Sequence, residues 1–207
     1  MRLAFALLAV GCFASGCGDD TTTSSGGDMS IAHDLAGGGS APTCAAYCAK
    51  IEMNCTAGSG DGGGHEQYAD VATCTSYCMT AADWPAGMTG DTSGNTIGCR
   101  LYHAGAAAAD PTTHCPHVGP TGGNVCGSWC ENYCQLMAKN CTGANAVYDA
   151  ATCMTKCATI PTSGQVNDTT GNSIQCRIYH LGVAASDPAT HCAHAKTVTD
   201  NPTTPCM

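Results

Sequence analysis

Three histidines recur at fixed spacing in two copies of one segment, and imidazoles in such a pattern could bind a metal ion. The copies run from Cys99 to His117 and from Cys176 to His194, align without a gap and are identical at most positions. The matched histidines are His103, His114, His117, His180, His191 and His194. Three imidazoles with one open coordination position suit Zn or Cu. The alternative is that these side chains cap helix ends, pack against disulfides or lie in solvent, since no compact motif such as His-Glu-x2-His is present.

The cysteines are the second group that could do chemistry. The chain has 18 Cys in 207 residues, a density typical of a disulfide scaffold in an oxidising compartment or of a metal-thiolate protein. From Cys44 onward, the repeats 44–126 and 127–207 each carry eight cysteines in the same order, so we expect each repeat to close its own bridges. Thiolates on Cys-x3-Cys helices also suit Cu(I), and in that motif alone the chain is similar to bacterial copper-storage bundles.

Two Cys-x3-Cys pairs per repeat predict an antiparallel helical hairpin, because residues four apart share one helix face. Thr43, Ser128, Asp70 and Asp149 are suitable N-caps for these helices. The hairpin resembles the twin Cys-x3-Cys hairpins of small intermembrane-space chaperones over these two helices. Antiparallel packing predicts the bridges Cys44–Cys78, Cys48–Cys74, Cys130–Cys157 and Cys134–Cys153.

The remaining cysteines are assigned by loop length. Short loops near the end of each repeat favour Cys115–Cys126 and Cys192–Cys206, which leaves Cys55–Cys99 and Cys141–Cys176. Eight cysteines allow 105 pairings, so spacing alone does not establish this set.

The fold class that follows is all-α, small and disulfide-rich, with two tandem repeats at 44–126 and 127–207. Each repeat is expected to add one long helix (about 95–109 and 172–186) and one short helix (about 111–117 and 188–194) to its hairpin. Asp110-Pro111 and Asp187-Pro188 should separate the two, because Asp caps a helix and Pro fits its first position. The matched Arg100 and Arg177 are expected to form an ion pair or a helix-end contact inside each repeat.

The N-terminal stretch has the pattern of an export signal. Residues 1–16 carry one basic residue and an apolar run that ends at Ala-Ser-Gly-Cys17, which resembles a bacterial lipoprotein signal with Cys17 as the lipidated residue. Residues 17–43 are rich in Gly, Ser, Thr and Asp and predict a flexible linker. With this spacer, the segments Asp-Thr-Ser-Gly-Asn-x-Ile-x-Cys-Arg-Leu-Tyr-His and Asp-Pro-x-Thr-His-Cys-x-His resemble cysteine-rich predicted lipoproteins of myxobacteria and relatives. That resemblance implies a Sec-exported protein, lipid-anchored in the bacterial cell envelope.

Composition excludes one class of partner. The net charge is -9 and seven Lys and Arg are scattered along the chain, whereas nucleic-acid binding needs clustered basic residues. No catalytic fingerprint occurs, so we expect no enzyme activity. The leading hypothesis is a non-catalytic binding or structural module on a stalk, with a membrane contact through its lipid and an unidentified envelope or extracellular ligand. The alternatives are a Cu or Zn protein using the histidine triplets and, more weakly, a thiol-redox or Cu(I)-thiolate protein.

Overall fold

A computed structural model of the protein describes residues 40–56 and 66–207. The predicted signal peptide, Cys17 and nearly all of the predicted linker therefore lie outside the described residues, as does His65. Within the described part the chain is all-helical, with no strand. This confirms the predicted all-α class, whereas the division into two tandem repeats stays a prediction.

In the described residues eight α-helices follow one another, four in the half 44–126 and four in the half 127–207. They are α1 (Cys44–Asn54), α2 (Val71–Ser76), α3 (Ile97–Ala106), α4 (Pro111–Val118), α5 (Trp129–Asn140), α6 (Ala150–Cys157), α7 (Ile174–Val183) and α8 (Pro188–His194). The predicted second helix differs in one respect, because α2 continues as a π-helical turn from Tyr77 to Ala82. Short 3-10 turns lie at Gly122–Asn124 and Gly143–Asn145.

Side-chain caps fix where these helices begin. Thr43, Asp70 and Asp149 accept hydrogen bonds from backbone N–H groups in the first turns of α1, α2 and α6. Ser128 and Glu131 form a capping box at the start of α5, which satisfies two otherwise orphaned N–H groups. The long helices α3 and α7 begin later than predicted, because Thr96 and Ser173 cap their starts, and they also end earlier, at Ala106 and Val183.

Eight disulfides close the described part of the chain, and each joins two cysteines of the same half. The two hairpins contain Cys44–Cys78, Cys48–Cys74, Cys130–Cys157 and Cys134–Cys153, as antiparallel packing predicts. The other four bridges differ from the prediction. They are Cys55–Cys115, Cys99–Cys126, Cys141–Cys192 and Cys176–Cys206, in place of Cys55–Cys99, Cys115–Cys126, Cys141–Cys176 and Cys192–Cys206.

The return of the chain after its short helix explains the difference. Gly94 N–H donates to the carbonyl of Val125 at 3.2 Å, just before α3, and Gly171 N–H donates to the carbonyl of Pro205 at 3.2 Å, just before α7. The last cysteine of each half is thereby held beside the first turn of the long helix. Cys115 and Cys192 therefore pair with Cys55 and Cys141, at the C-terminal ends of α1 and α5. Loop length favoured the wrong partners because a non-local backbone contact sets these pairings.

The core of each half is built around a buried tyrosine and a buried arginine. The Tyr47 hydroxyl donates to the carbonyl of Val118 at 2.6 Å, and the Tyr133 hydroxyl donates to the carbonyl of Ala195 at 2.8 Å. Arg100 and Arg177 are fully buried, and neither has a carboxylate partner among the described residues.

Both arginines instead use the helix-end contact. Arg100 donates to the carbonyl of Thr96 and lies 3.6 Å from the Trp84 ring centre, while Arg177 donates to the carbonyls of Ser173 and Cys206. Burial lowers the pKa of Arg100 to about 10, which still leaves the guanidinium charged at neutral pH. These arginines are therefore structural anchors that satisfy carbonyls near the starts of α3 and α7.

The two halves pack against each other. Asn140, at the end of α5, donates to the carbonyls of Ala81 and Leu181 at 3.1 and 2.9 Å. Lys139 forms an exposed ion pair with Asp83 at 2.6 Å. Residues 39–207 form one compact unit, so separate folding of 44–126 and 127–207 stays a prediction.

Candidate metal centres

Each long helix carries one histidine whose ring is oriented by a hydrogen bond to a backbone carbonyl. His103 on α3 is buried, and its Nε2 lies 3.1 Å from the carbonyl oxygen of Thr92. His180 on α7 is also buried, with its Nε2 3.1 Å from the carbonyl oxygen of Thr169. A carbonyl oxygen only accepts, so Nε2 carries the proton and donates. In the neutral ring, Nδ1 is then the lone-pair atom, and it faces the short helix.

In the first half, two more ring nitrogens converge on that lone pair. The Nδ1 atom of His103 lies 3.0 Å from Nδ1 of His114 and 3.4 Å from Nδ1 of His117. Two nitrogens bound to one tetrahedral Zn at about 2.0–2.1 Å are separated by about 3.3 Å. Both distances from Nδ1 of His103 are close to this spacing, and the ligand atoms of the three histidines all lie within 4.8 Å of one another.

The second half repeats the arrangement. Nδ1 of His180 lies 2.9 Å from Nδ1 of His191, and the ring centres of His180 and His194 are 4.8 Å apart. The three ligand atoms of this triad lie within 4.8 Å of one another. Nδ1 of His194 is buried and has no hydrogen-bond partner among the described residues. A buried imidazole nitrogen without a partner is costly unless something binds it.

The Asp-Pro corners bring the short helices into place. Asp110 caps α4 by accepting from Thr113 N–H at 3.1 Å, and Asp187 caps α8 by accepting from Thr190 N–H at 3.3 Å. His114 and His117 are three residues apart and share one face of α4, as predicted. Between them, Cys115 ties α4 to the end of α1, so the helix that carries two of the ligands is covalently held.

Burial lowers the pKa of three of the six histidines. Burial, together with the neighbouring His103 and His114, lowers the pKa of His117 below its usual range. Burial and His191 lower the pKa of His194, and burial lowers the pKa of His180 despite its bond to Thr169. Neutral imidazole is the form that coordinates a metal, so the lowered pKa values of these three histidines favour metal binding.

The nearby sulfurs do not complete these sites. Sγ atoms of Cys99 and Cys126 lie within reach of His103, and those of Cys176 and Cys206 lie within reach of His180. Both pairs are disulfides, which offer no thiolate ligand. All sixteen cysteines from Cys44 onward are bridged, which argues against the Cu(I)-thiolate and thiol-redox alternatives while the bridges are closed.

Sequence reasoning placed the six histidines but missed the two carbonyls behind them. Thr92 and Thr169 contribute backbone carbonyl oxygens. Every residue type has such an acceptor, so the side-chain pattern does not reveal it. The signal that could have found them is the matched Asp-Thr run at 91–92 and 168–169. Asp91 accepts from Met88 N–H at 2.8 Å and Asp168 accepts from Gln165 N–H at 2.7 Å, so both loops are held at these aspartates.

Comparison with known proteins identifies the family. The model of the BfoA family C-terminal domain matches residues 40–129 and, a second time, residues 127–199. The chain belongs to the BfoA family. No solved structure is significantly similar to it.

Curated relatives of this BfoA family chain come from fungi. The chain is 37% identical over 79 residues to bifonsecin B biosynthesis cluster protein A of Aspergillus brasiliensis, which covers 38% of this chain and 24% of the relative. It is 35% identical over 79 residues to aurasperone B biosynthesis cluster protein A of Aspergillus niger, which covers 38% of this chain and 23% of the relative. The match thus spans about a quarter of the length of these relatives. Their names refer to biosynthesis clusters and state no reaction.

These relatives correct the family resemblance drawn from the sequence. The resemblance to myxobacterial lipoproteins was wrong, because the matching family is BfoA and the relatives are Aspergillus proteins. Lipidation of Cys17 lies outside the described residues. No helix in the part of the chain that the structure describes has both the length and the apolar content to cross a membrane.

Proposed function

We propose that this BfoA family chain is a non-catalytic metal-binding protein that holds one Zn or Cu ion in each histidine triad. The observation that carries the proposal is the convergence of Nδ1 atoms at 3.0 and 3.4 Å in front of an anchored His103. The single Nδ1 lone pair of His103 can accept one well-aligned hydrogen bond, so it cannot serve both neighbouring Nδ1 atoms equally well. A cation bound to all three removes the conflict.

The donor set selects the metal class. Imidazole nitrogens suit Zn, Cu, Fe and Ni, whereas Ca and Mg prefer oxygen. Neither described triad includes a carboxylate. Hydrogen bonds from Nε2–H to a backbone carbonyl are the usual outer-shell support of a metal-bound histidine, and both triads have one. Three protein ligands leave a fourth position for water or a small ligand.

The bridges and the relatives support a proposal for the cellular setting. Eight disulfides favour an oxidising compartment, so we propose that the chain is exported. The names of its relatives refer to biosynthesis clusters, which supports an accessory role beside the other proteins of such a cluster.

Counting bound ions tests the proposal. Native mass spectrometry of the oxidised full chain with zinc or Cu(II) is expected to show one ion per triad. His103→Ala and His180→Ala should each lose one ion, and the double variant should lose both. His65→Ala serves as the control, because His65 has no counterpart in the second repeat, and it should bind as the wild type does. Full occupancy in the double variant would overturn the proposal.

A further inference from the structure

We propose that a cleft between the two halves binds one uncharged, mainly apolar aromatic small molecule. The cleft lies between α2 with its π-helical turn and α7, and its volume is about 980 Å³. Small-molecule sites commonly have volumes of roughly 300–1,000 Å³. The cleft is therefore large enough for a multi-ring molecule, and it is separate from both histidine triads.

The walls define the chemistry of the ligand. Tyr68 and Tyr77 line one side, and Ile178, Tyr179 and Val183 line the other. Aromatic rings favour stacked or edge-on contacts with another aromatic ring. Glu66 is the single charged residue among the described residues that line the cleft. With so few charged groups in the cleft, little would offset the desolvation of a charged ligand. The expected ligand is therefore neutral.

Close approach of the two halves forms the cleft. A Cβ atom at Gly182 would lie 2.5 Å from Cε2 of Tyr77, so the absence of a side chain on α7 lets this ring rest against the helix backbone. Tyr77 also begins the π-helical turn, a distortion that is frequent at functional sites.

The duplication does not supply a matching ring in the second half. The position equivalent to Tyr77, one residue before the second cysteine of the second Cys-x3-Cys pair, is Lys156. Lys156 pairs with Asp200 at 2.7 Å. Tyr68 and Tyr77 thus come from the first half and α7 comes from the second. The cleft therefore exists only where the two halves pack together.

Tyr77, which lines the cleft, also carries a polar hydroxyl group. The hydroxyl oxygen of Tyr77 is buried and has no hydrogen-bond partner among the described residues. Leaving a buried hydroxyl unpaired is unfavourable. A ligand carbonyl or ether oxygen would supply an acceptor for it, and this adds a hydrogen-bonding oxygen to the ligand description.

Nile red, an uncharged aromatic dye with a carbonyl group, is a suitable probe because its fluorescence rises in apolar surroundings. The oxidised full chain is expected to bind it saturably, one dye per chain. Ala72 is exposed and lines the cleft, so the indole ring of Ala72→Trp should occupy part of the cleft and weaken binding by roughly tenfold or more. Tyr77→Phe should weaken binding several-fold by removing the donor.

The matched control is Ala151→Trp, since Ala151 is the exposed equivalent of Ala72 in the second half and should leave dye affinity unchanged. Intact mass after alkylation checks that every variant keeps its eight bridges. Absence of saturable binding, or equal affinity in the wild type and Ala72→Trp, would overturn the proposal. The histidine double variant should bind the dye normally, so failure of the metal proposal and failure of this one are distinguishable.

Discussion

Removing the Cys55–Cys115 bridge is expected to weaken metal binding at the first triad by roughly tenfold or more, because misplacement of a ligand by even an ångström lowers site affinity. Cys115 lies between His114 and His117 on α4, and its bridge fixes that helix to the end of α1. Without it, two of the three ligands are carried by an eight-residue helix held by packing and one aspartate cap. The variant Cys55→Ala/Cys115→Ala leaves no free thiol to confuse the result.

The hairpin bridge provides a control matched in stability. Cys44→Ala/Cys78→Ala removes a bridge of the same half that joins α1 to the π-helical turn and is not attached to α3 or α4. The chain-entropy estimate is about 4 kcal/mol for either bridge, since their sequence separations are 60 and 34 residues. Urea unfolding should therefore show similar losses in the two variants, whereas zinc titration calorimetry should show a weakened first site in one alone. Equal zinc affinity in both variants would contradict the role given to Cys115.

Acidification from pH 7.5 to pH 5 is expected to weaken zinc binding at both triads by about a hundredfold or more, because protons compete with the metal for each imidazole. An ordinary histidine has a pKa of about 6.5. The pKa values of His117, His180 and His194 are lowered by burial. A lowered pKa favours the neutral, ligating form, so binding should persist through mild acid and fall steeply once the pH drops below this ordinary value.

Proton release makes the same prediction measurable in a second way. Zinc titrations in buffers of different ionisation enthalpy should show few protons released at pH 7.5 and more at pH 5.5. The double variant His103→Ala/His180→Ala should show neither the affinity change nor the release. Zinc affinity that is independent of pH over this range would rule out imidazole ligands.

The sequence predicts the parts of this fold that depend on local spacing. Cysteines four residues apart on a helix must share a face, and two such helices in an antiparallel hairpin pair Cys44 with Cys78. Asp110 and Pro111 likewise mark the start of α4, because capping acts within one turn. The six histidines could be selected because the duplication keeps their spacing.

Features set by distant contacts could not be predicted in this way. Cys126 pairs with Cys99 because the chain returns to the start of α3 through the backbone bond between Gly94 and Val125, and neither residue signals that bond. The carbonyl of Thr92 that accepts from His103 could not be predicted either, because no side chain signals that contact. The cleft depends on Tyr77 of one half meeting Gly182 of the other, and helix periodicity carries no information about such a meeting.

X-ray absorption spectroscopy of the zinc-loaded full chain tests the central claim most directly, because it reports the atoms bound to the metal. The structure predicts three imidazole nitrogens and one further light atom at about 2.0–2.1 Å, with the outer-shell scattering of imidazole rings. That signal should disappear in His103→Ala/His180→Ala. A sulfur shell at about 2.3 Å, or an oxygen shell without imidazole scattering, would contradict the histidine triads as the metal sites.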